Sequence, residues 1–107
     1  MNQAIFTNTY KLKKGITNEE FLMAFKDLIE GYISKQQGYL SSNIMNDGDD
    51  VWSDTITFKT MGDLKNFEKI SQNPNELALK FYSFINLNSC KTNRFNIIKS
   101  FIAENLN

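Results

Sequence analysis

The sequence contains no histidine. That removes the commonest general base near neutral pH and the commonest transition-metal ligand. A single cysteine, Cys90, excludes an internal disulfide, and no second thiol or imidazole is present to complete a zinc site. A chain without disulfides suits a reducing compartment, so a cytoplasmic location is the expectation. Net charge is lacking too: 12 Lys and Arg residues balance 12 Asp and Glu. The densest basic cluster is Lys11, Lys13 and Lys14. It reads as a solvated turn at a strand end rather than a phosphate-binding surface, so nucleic acid is not an expected partner. No apolar run reaches the roughly 18 residues that a membrane-spanning helix needs. The N-terminus lacks the charged and apolar regions of a secretory signal. No membrane association is expected.

What remains is a chain of 107 residues, 41% hydrophobic, with nine phenylalanines. A chain of this length buries roughly two thirds of its unfolded surface, enough for one core, so residues 1–107 are expected to form a single domain.

Residues 4–12 are rich in β-branched and aromatic types and predict a first strand, ended by Lys13-Lys14-Gly15. Thr17 and Glu20 have the spacing of a capping box. Phe21, Phe25, Leu28, Ile29 and Tyr32 then recur at helical spacing, with Gly38 as the predicted stop. A second strand is predicted over 39–46 and a third over 51–59, joined by the turn Asn46-Asp47-Gly48-Asp49-Asp50. In the third, Trp52, Ile56 and Phe58 share one face with Asp54, while Val51, Ser53, Thr55 and Thr57 share the other.

Thr60 is a cap for the next helix, whose apolar side is Leu64, Phe67 and Ile70. Asn73-Pro74-Asn75-Glu76 reads as a second start, with Asn73 as cap and Pro74 at the first helical position. The second helical region is therefore predicted to break near 71–73 and resume through Ile85, burying Leu77, Phe81, Phe84 and Ile85. A loop over 86–91 is expected to lead to a last strand over 92–101, with Phe95, Ile97 and Phe101 inward and Arg94 outward toward a partner subunit. The whole predicts an α+β fold of ferredoxin-like order β-α-β-β-α-β, a four-stranded antiparallel sheet with its helices on one face.

Four segments carry a family resemblance: Thr-Asn-Thr-Tyr-Lys-Leu-Lys-Lys-Gly at 7–15, Gln-Gly-Tyr-Leu-Ser-Ser at 37–42, Trp-Ser-Asp-Thr-Ile-Thr-Phe-Lys-Thr at 52–60 and Phe-Tyr-Ser-Phe-Ile at 81–85. The chain resembles the dimeric α+β barrel superfamily, in particular the antibiotic-biosynthesis-monooxygenase-like proteins. The resemblance implies a homodimer paired through its sheets, with a pocket between sheet and helices in each subunit. It implies either a cofactor-independent monooxygenase acting on an aromatic or polyketide-like molecule, or a non-catalytic, small-molecule-binding or stress-associated dimer. Haem-degrading members use an Asn on the first strand with a Trp and a His on the second helical region. Asn8 matches the first and Phe67 falls at the Trp position, but no His exists, so haem degradation by that route is not expected. No cofactor is expected.

Within that frame Asp54 is the candidate base. A carboxylate on a core-facing strand position is desolvated, its pKa rises, and it becomes able to take a proton from a phenol or an activated carbon. Asn8 and Tyr10 share a face of the first strand and are candidates to stabilise the resulting anion. The ordinary alternative is a structural Asp54 bonded to Tyr10 or to loop backbone, with Asn8 and Tyr10 satisfied inside the fold. Phe25, Trp52, Phe58, Phe67, Phe81 and Phe84 are the candidate walls of an apolar ligand pocket, although aromatic residues at this spacing are also what a plain core contains. Phe101, Ile102 and Leu106 are candidates to pack across the dimer.

Overall fold

The computed structural model describes residues 2–105. Strand β1 (Ala4–Leu12) is followed by helix α1 (Asn18–Gly31), strands β2 (Tyr39–Asn46) and β3 (Val51–Phe58), helices α2 (Met61–Ile70) and α3 (Glu76–Ser83), and strand β4 (Ile85–Asn96). The four strands form one antiparallel sheet in the order β2-β3-β1-β4. This is the predicted ferredoxin-like arrangement. Leu106 lies outside the described residues.

The capping box forms as the sequence requires. Thr17 Oγ1 accepts from the Glu20 amide at 3.1 Å, and Glu20 Oε2 accepts from the Thr17 amide at 2.9 Å. The α1 face that follows buries Phe21, Ala24, Phe25 and Leu28. The helix stops at Gly31 rather than running to Gly38. A short 3₁₀ turn over Ile33–Lys35 takes up the chain, and Gly38, at φ +80°, turns it into β2. Gly31 lies where α1 meets α3, so close that an added Cβ would stand 2.6 Å from Leu77 Cδ1.

The break between α2 and α3 falls where predicted, but the cap of α3 is Asn75, not Asn73. Asn75 Oδ1 accepts from the Ala78 amide at 2.9 Å, which leaves Pro74 outside the helix. Phe84 caps the far end of α3, and Ile85 begins β4 rather than ending the helix.

The largest departure from the sequence reading is β4, which occupies Ile85–Asn96 instead of 92–101. The register with β1 runs from Ala4↔Asn96 to Thr9↔Lys91 and resumes at Lys11↔Asn86. A step of two residues along β1 is matched there by a step of five along β4. The excess forms a bulge closed by side chains. Ser89 Oγ donates to the Asn86 carbonyl at 2.6 Å and accepts from the Lys11 amide at 2.9 Å, and Asn86 Oδ1 accepts from the Asn88 amide at 3.2 Å. These polar residues read as a loop in the sequence because they replace part of the ladder's bonding. The bulge also changes which side chains face the helices. Arg94 pairs with Phe6 and faces the helices; Phe95 pairs with Ile5 on the outer face and is 54% exposed. Both predictions for that strand's faces are therefore reversed. Residues 97–101 form no strand, and Ile98 and Phe101 are exposed.

All three helices cover the sheet face that carries Ala4, Tyr10, Trp52, Asp54, Ile56 and Phe58, and this layer is the core. At its centre Phe21 stacks on Phe81 at 5.4 Å between ring centroids and meets Trp52 at 5.0 Å and Tyr10 at 5.9 Å edge-on. Each such pair adds about 0.5–1.5 kcal/mol beyond the area it buries. This cluster fixes α1 and α3 over the strands on which Asp54 and Tyr10 stand.

Candidate functional site

β1 and β3 are the two central strands, and their register sets Asn8 directly opposite Asp54. Tyr10 lies one inward position further along β1. Asp54 is only 2% exposed. Its Oδ2 accepts a bond from the Tyr10 hydroxyl at 2.6 Å, and its Oδ1 accepts from Asn8 Nδ2 at 3.2 Å. Asn8 Oδ1 in turn accepts from Thr92 Oγ1 on β4 at 2.7 Å. The Thr92 hydroxyl thus fixes the Asn8 amide with its NH₂ toward the carboxylate. Four side chains from three strands form one line of hydrogen bonds, Tyr10–Asp54–Asn8–Thr92, and the three residues singled out in the sequence, Asp54, Asn8 and Tyr10, are three of its four members.

The electrostatics follow from the geometry. Burial pushes the Asp54 pKa above the ordinary aspartate range, and the bonds from Tyr10 and Asn8, which favour the charged form, only partly offset it. The Tyr10 hydroxyl is pushed far above its ordinary value, first by burial and then by the adjacent Asp54 charge. It is a hydrogen-bond donor and not a proton source for a ligand.

Asp54 stands between two spaces. On one side is a cavity of about 150 Å³, bounded on the sheet by Phe6, Asn8, Asp54 and Ile56. Phe25, Leu28 and Ile33 close it from the α1 region, and Phe67, Glu68, Ser71, Phe81 and Tyr82 from the α2 and α3 side. On the other side is a recess of about 20 Å³ touched by Asn8, Tyr10, Cys90 and Leu87. Tyr10 borders the recess alone, so it holds Asp54 from behind, while Asn8 and Asp54 border both.

Of the six predicted pocket aromatics, Phe25, Phe67 and Phe81 line the cavity. Trp52, Phe58 and Phe84 do not. Trp52 is packed edge-on against Phe21, Phe58 lies between Phe67 and Tyr39, and Phe84 is a half-buried helix cap packed against the core. Arg94 spans the outside of the cavity wall. Its Nε donates to Glu68 Oε1 and its Nη2 to Glu68 Oε2, both at 2.5 Å, and its guanidinium lies 5.5 Å from the centre of the Phe6 ring.

Phe6, Leu28, Ile33, Ile56, Glu68, Ser71 and Tyr82 line the cavity but were not singled out as pocket residues in the sequence. Ser71 had a signal: it follows Phe67 by one helical turn and therefore shares its face. Thr92 had none, because its position opposite Asn8 depends on the bulge.

A larger groove of about 540 Å³ lies between the end of β1 and the start of β4, lined by Lys11, Lys13, Lys14, Asp50 and Asn88 among others. It is an open surface crossed by an exposed Lys11–Asp50 ion pair at 3.3 Å and contains no buried polar group of the kind Asp54 represents. Among the described residues no three Cys, Asp or Glu side chains gather where they could hold a metal ion, and no helix is long and apolar enough to cross a membrane.

No protein-family model matches the chain, and no curated protein matches it by sequence. Solved structures do. A cofactor-independent oxygenase from Streptomyces nogalater, SnoaB, superposes with a TM-score of 0.71 over 94% of this chain and 97% of its own, at 12% identity. A candidate antibiotic biosynthesis monooxygenase from Bacillus cereus gives 0.63 over 96% and 100%, at 20% identity. A dimeric ferredoxin-like protein from an uncultured marine organism gives 0.70 over 94% and 100%, at 14% identity. At these identities the likeness is one of architecture: this chain has the ferredoxin-like fold that these solved structures share.

Proposed function

We propose that the protein is a cofactor-independent monooxygenase acting on a small aromatic molecule, with Asp54 as its base. The observation that carries this reading is a carboxylate of raised pKa, 2% exposed, on the wall of an otherwise largely apolar cavity. Oxygenation without a cofactor needs a substrate that becomes electron-rich when it loses a proton. Asp54 takes that proton from a phenol or an activated carbon. The anion gives electrons to dioxygen and a peroxide forms at the substrate carbon; its O–O bond then breaks, one oxygen stays as a carbonyl, and the other leaves as water with the two hydrogens the substrate has lost, so the substrate itself supplies all four electrons. The surrounding Phe side chains keep the anion from bulk water, and Asn8, held by Thr92, has a second amide hydrogen to offer it. The cavity of about 150 Å³ takes roughly one benzene ring. A polyketide-like substrate would place one ring inside and the remainder at the mouth.

The same network also supports a second reading, a non-catalytic binder of a small apolar molecule. Both Asp54 oxygens already have internal donors, as in a purely structural carboxylate. Asp54→Asn separates the two. Under the first reading oxygen uptake with a reactive hydroxyarene disappears while binding persists. Unchanged uptake removes Asp54 from the mechanism, and saturable binding without uptake by the native protein supports the second reading.

In both readings the protein works as a homodimer joined through the outer sheet faces. The outer face carries no helix. Ile5, Thr7 and Thr55 are half-buried there, and Met45 and Phe95 are exposed. Sedimentation giving a monomer of 12.4 kDa at micromolar concentration would overturn this assembly.

A further inference from the structure

Serine hydroxyls near the ends of helices ordinarily fold back onto a carbonyl three or four residues earlier. Two serines of this chain do so: Ser34 Oγ donates to the Glu30 carbonyl at 3.3 Å and Ser83 Oγ to the Lys80 carbonyl at 2.5 Å. Ser71 occupies the same kind of position, the C-terminal cap of α2, and its amide donates to the Phe67 carbonyl at 2.9 Å. Its hydroxyl does not follow. Ser71 Oγ is buried and has no hydrogen-bond partner in the protein. A buried hydroxyl without a partner is costly, and a bound molecule that supplies the missing bond removes that cost.

Ser71 borders the Asp54 cavity and the narrow recess of about 10 Å³ beside it. Two of the cavity's other polar groups are already engaged. The Glu68 carboxylate is held by Arg94, and the Asn8 carbonyl oxygen accepts from Thr92. Asp54 Oδ1 keeps spare accepting capacity, since its one donor, Asn8, stands at 3.2 Å and a carboxylate oxygen accepts two bonds. Asp54 Oδ1 from the sheet and Ser71 Oγ from the helix layer thus remain open to a ligand, beside the second Asn8 amide hydrogen. Phe6, Phe25, Leu28, Phe67 and Phe81 supply apolar wall around them.

We propose that Ser71 is a ligand-positioning residue and that the ligand is a single-ring phenol bearing a second oxygen function, one oxygen facing Asp54 and the other Ser71. This deepens the reading of the Asp54 cavity as the ligand site and rests on it. The ring fits the volume, the phenolic hydroxyl gives its hydrogen to Asp54, and the second oxygen exchanges a hydrogen bond with Ser71. Without that second oxygen a ligand leaves the Ser71 hydroxyl as unpaired as it is in the free protein.

The test is titration of the native protein and Ser71→Ala with phenol and with the three dihydroxybenzenes under argon, followed by ligand-observed NMR. At least one diol is expected to bind the native protein about tenfold tighter than phenol. Ser71→Ala should bring that diol to the affinity of phenol and leave phenol unchanged. The unliganded variant should unfold no earlier than the native protein, because the alanine removes an unpaired group rather than a bond. Diols bound no tighter than phenol, equal weakening of phenol and diols in the variant, or a lowered unfolding temperature each overturn the role of Ser71 while leaving the cavity reading intact. Failure of every probe to bind the native protein overturns the cavity reading, and this inference with it.

Discussion

Replacing Tyr10 with phenylalanine removes one oxygen atom from the core and little else. The ring remains, edge-on to Phe21 at 5.9 Å and to Phe81 at 6.2 Å. What disappears is the 2.6 Å bond to Asp54 Oδ2, leaving that oxygen unpaired at a site 2% exposed. A hydrogen bond to a buried charged group contributes about 1.5–3 kcal/mol, so a loss of roughly 2 kcal/mol is expected at pH 8. For a chain of this length that lowers Tm by about 9 °C. The loss must depend on pH. The Tyr10 bond favours the ionised carboxylate, so Tyr10→Phe raises the already raised pKa of Asp54 further. Between the native and variant folded pKa values the variant holds its proton while the native protein has released it, and the stability gap widens as pH rises through that interval. Below it, with Asp54 protonated in both proteins, only a neutral hydrogen bond is missing and the gap narrows to about 1 kcal/mol. Urea unfolding at pH 4 and pH 8 measures both limits. A variant within about 0.5 kcal/mol of native at pH 8, or a gap no larger there than at pH 4, refutes the claim that Tyr10 holds a charged Asp54.

The stability of the native protein should itself fall as pH rises from the ordinary aspartate range through the raised folded pKa of Asp54, because the unfolded chain ionises first. Asp54→Asn lacks this term, so its stability relative to native should climb over the same interval; parallel pH profiles would show that burial of the charge carries no cost. Gly38 and Gly15 both have positive φ, +80° and +84°, but an added Cβ at Gly38 runs into the Asp63 side chain whereas at Gly15 it meets open space. Gly38→Ala and Gly15→Ala therefore share a backbone cost of about 1–2 kcal/mol, and Gly38→Ala should lose more. Equal Tm values for the two variants would remove Asp63 from the account.

Much of this arrangement is legible in the sequence because local chemistry and global packing agree. The Thr17–Glu20 box, the Thr60 cap and the hairpin turn at 46–50 define boundaries by themselves. The alternation of Trp52, Asp54, Ile56 and Phe58 states which face of β3 is buried, and that alone places a carboxylate in the core. The sequence also brings Asn8 and Tyr10 to the same face of β1. It does not state that the Tyr10 hydroxyl is committed to Asp54, since a diagonal contact depends on the register between β1 and β3. The cap of α3 is ambiguous because Asn73 and Asn75 both suit the role, and only the direction of the chain after Pro74 selects one. The aromatic count predicts a Phe-rich interior but not which rings border space, a property of residual volume left by packing. β4 is misread for a different reason. Its polar start satisfies the backbone through Asn86 and Ser89 side chains, and pattern alone cannot separate that from a loop.

The bulge opposite Tyr10 has a consequence for how this chain tolerates length changes. Counting along β4, Ile85 faces the helices and Phe95 faces away, although ten residues separate them and strict alternation would put both on one side. The odd excess of residues in the bulge is a phase shift, and everything beyond it inherits the new phase. If the strand keeps both its flanking pairings, one residue more or less between Asn86 and Cys90 is absorbed in the bulge. If the bulge keeps its shape instead, the same change turns Thr92 away from Asn8 and Arg94 away from Glu68, and points Asn93 and Phe95 at the cavity. A strand edit far in sequence from Asp54 would then read as loss of the Asn8 amide's orientation rather than as loss of fold.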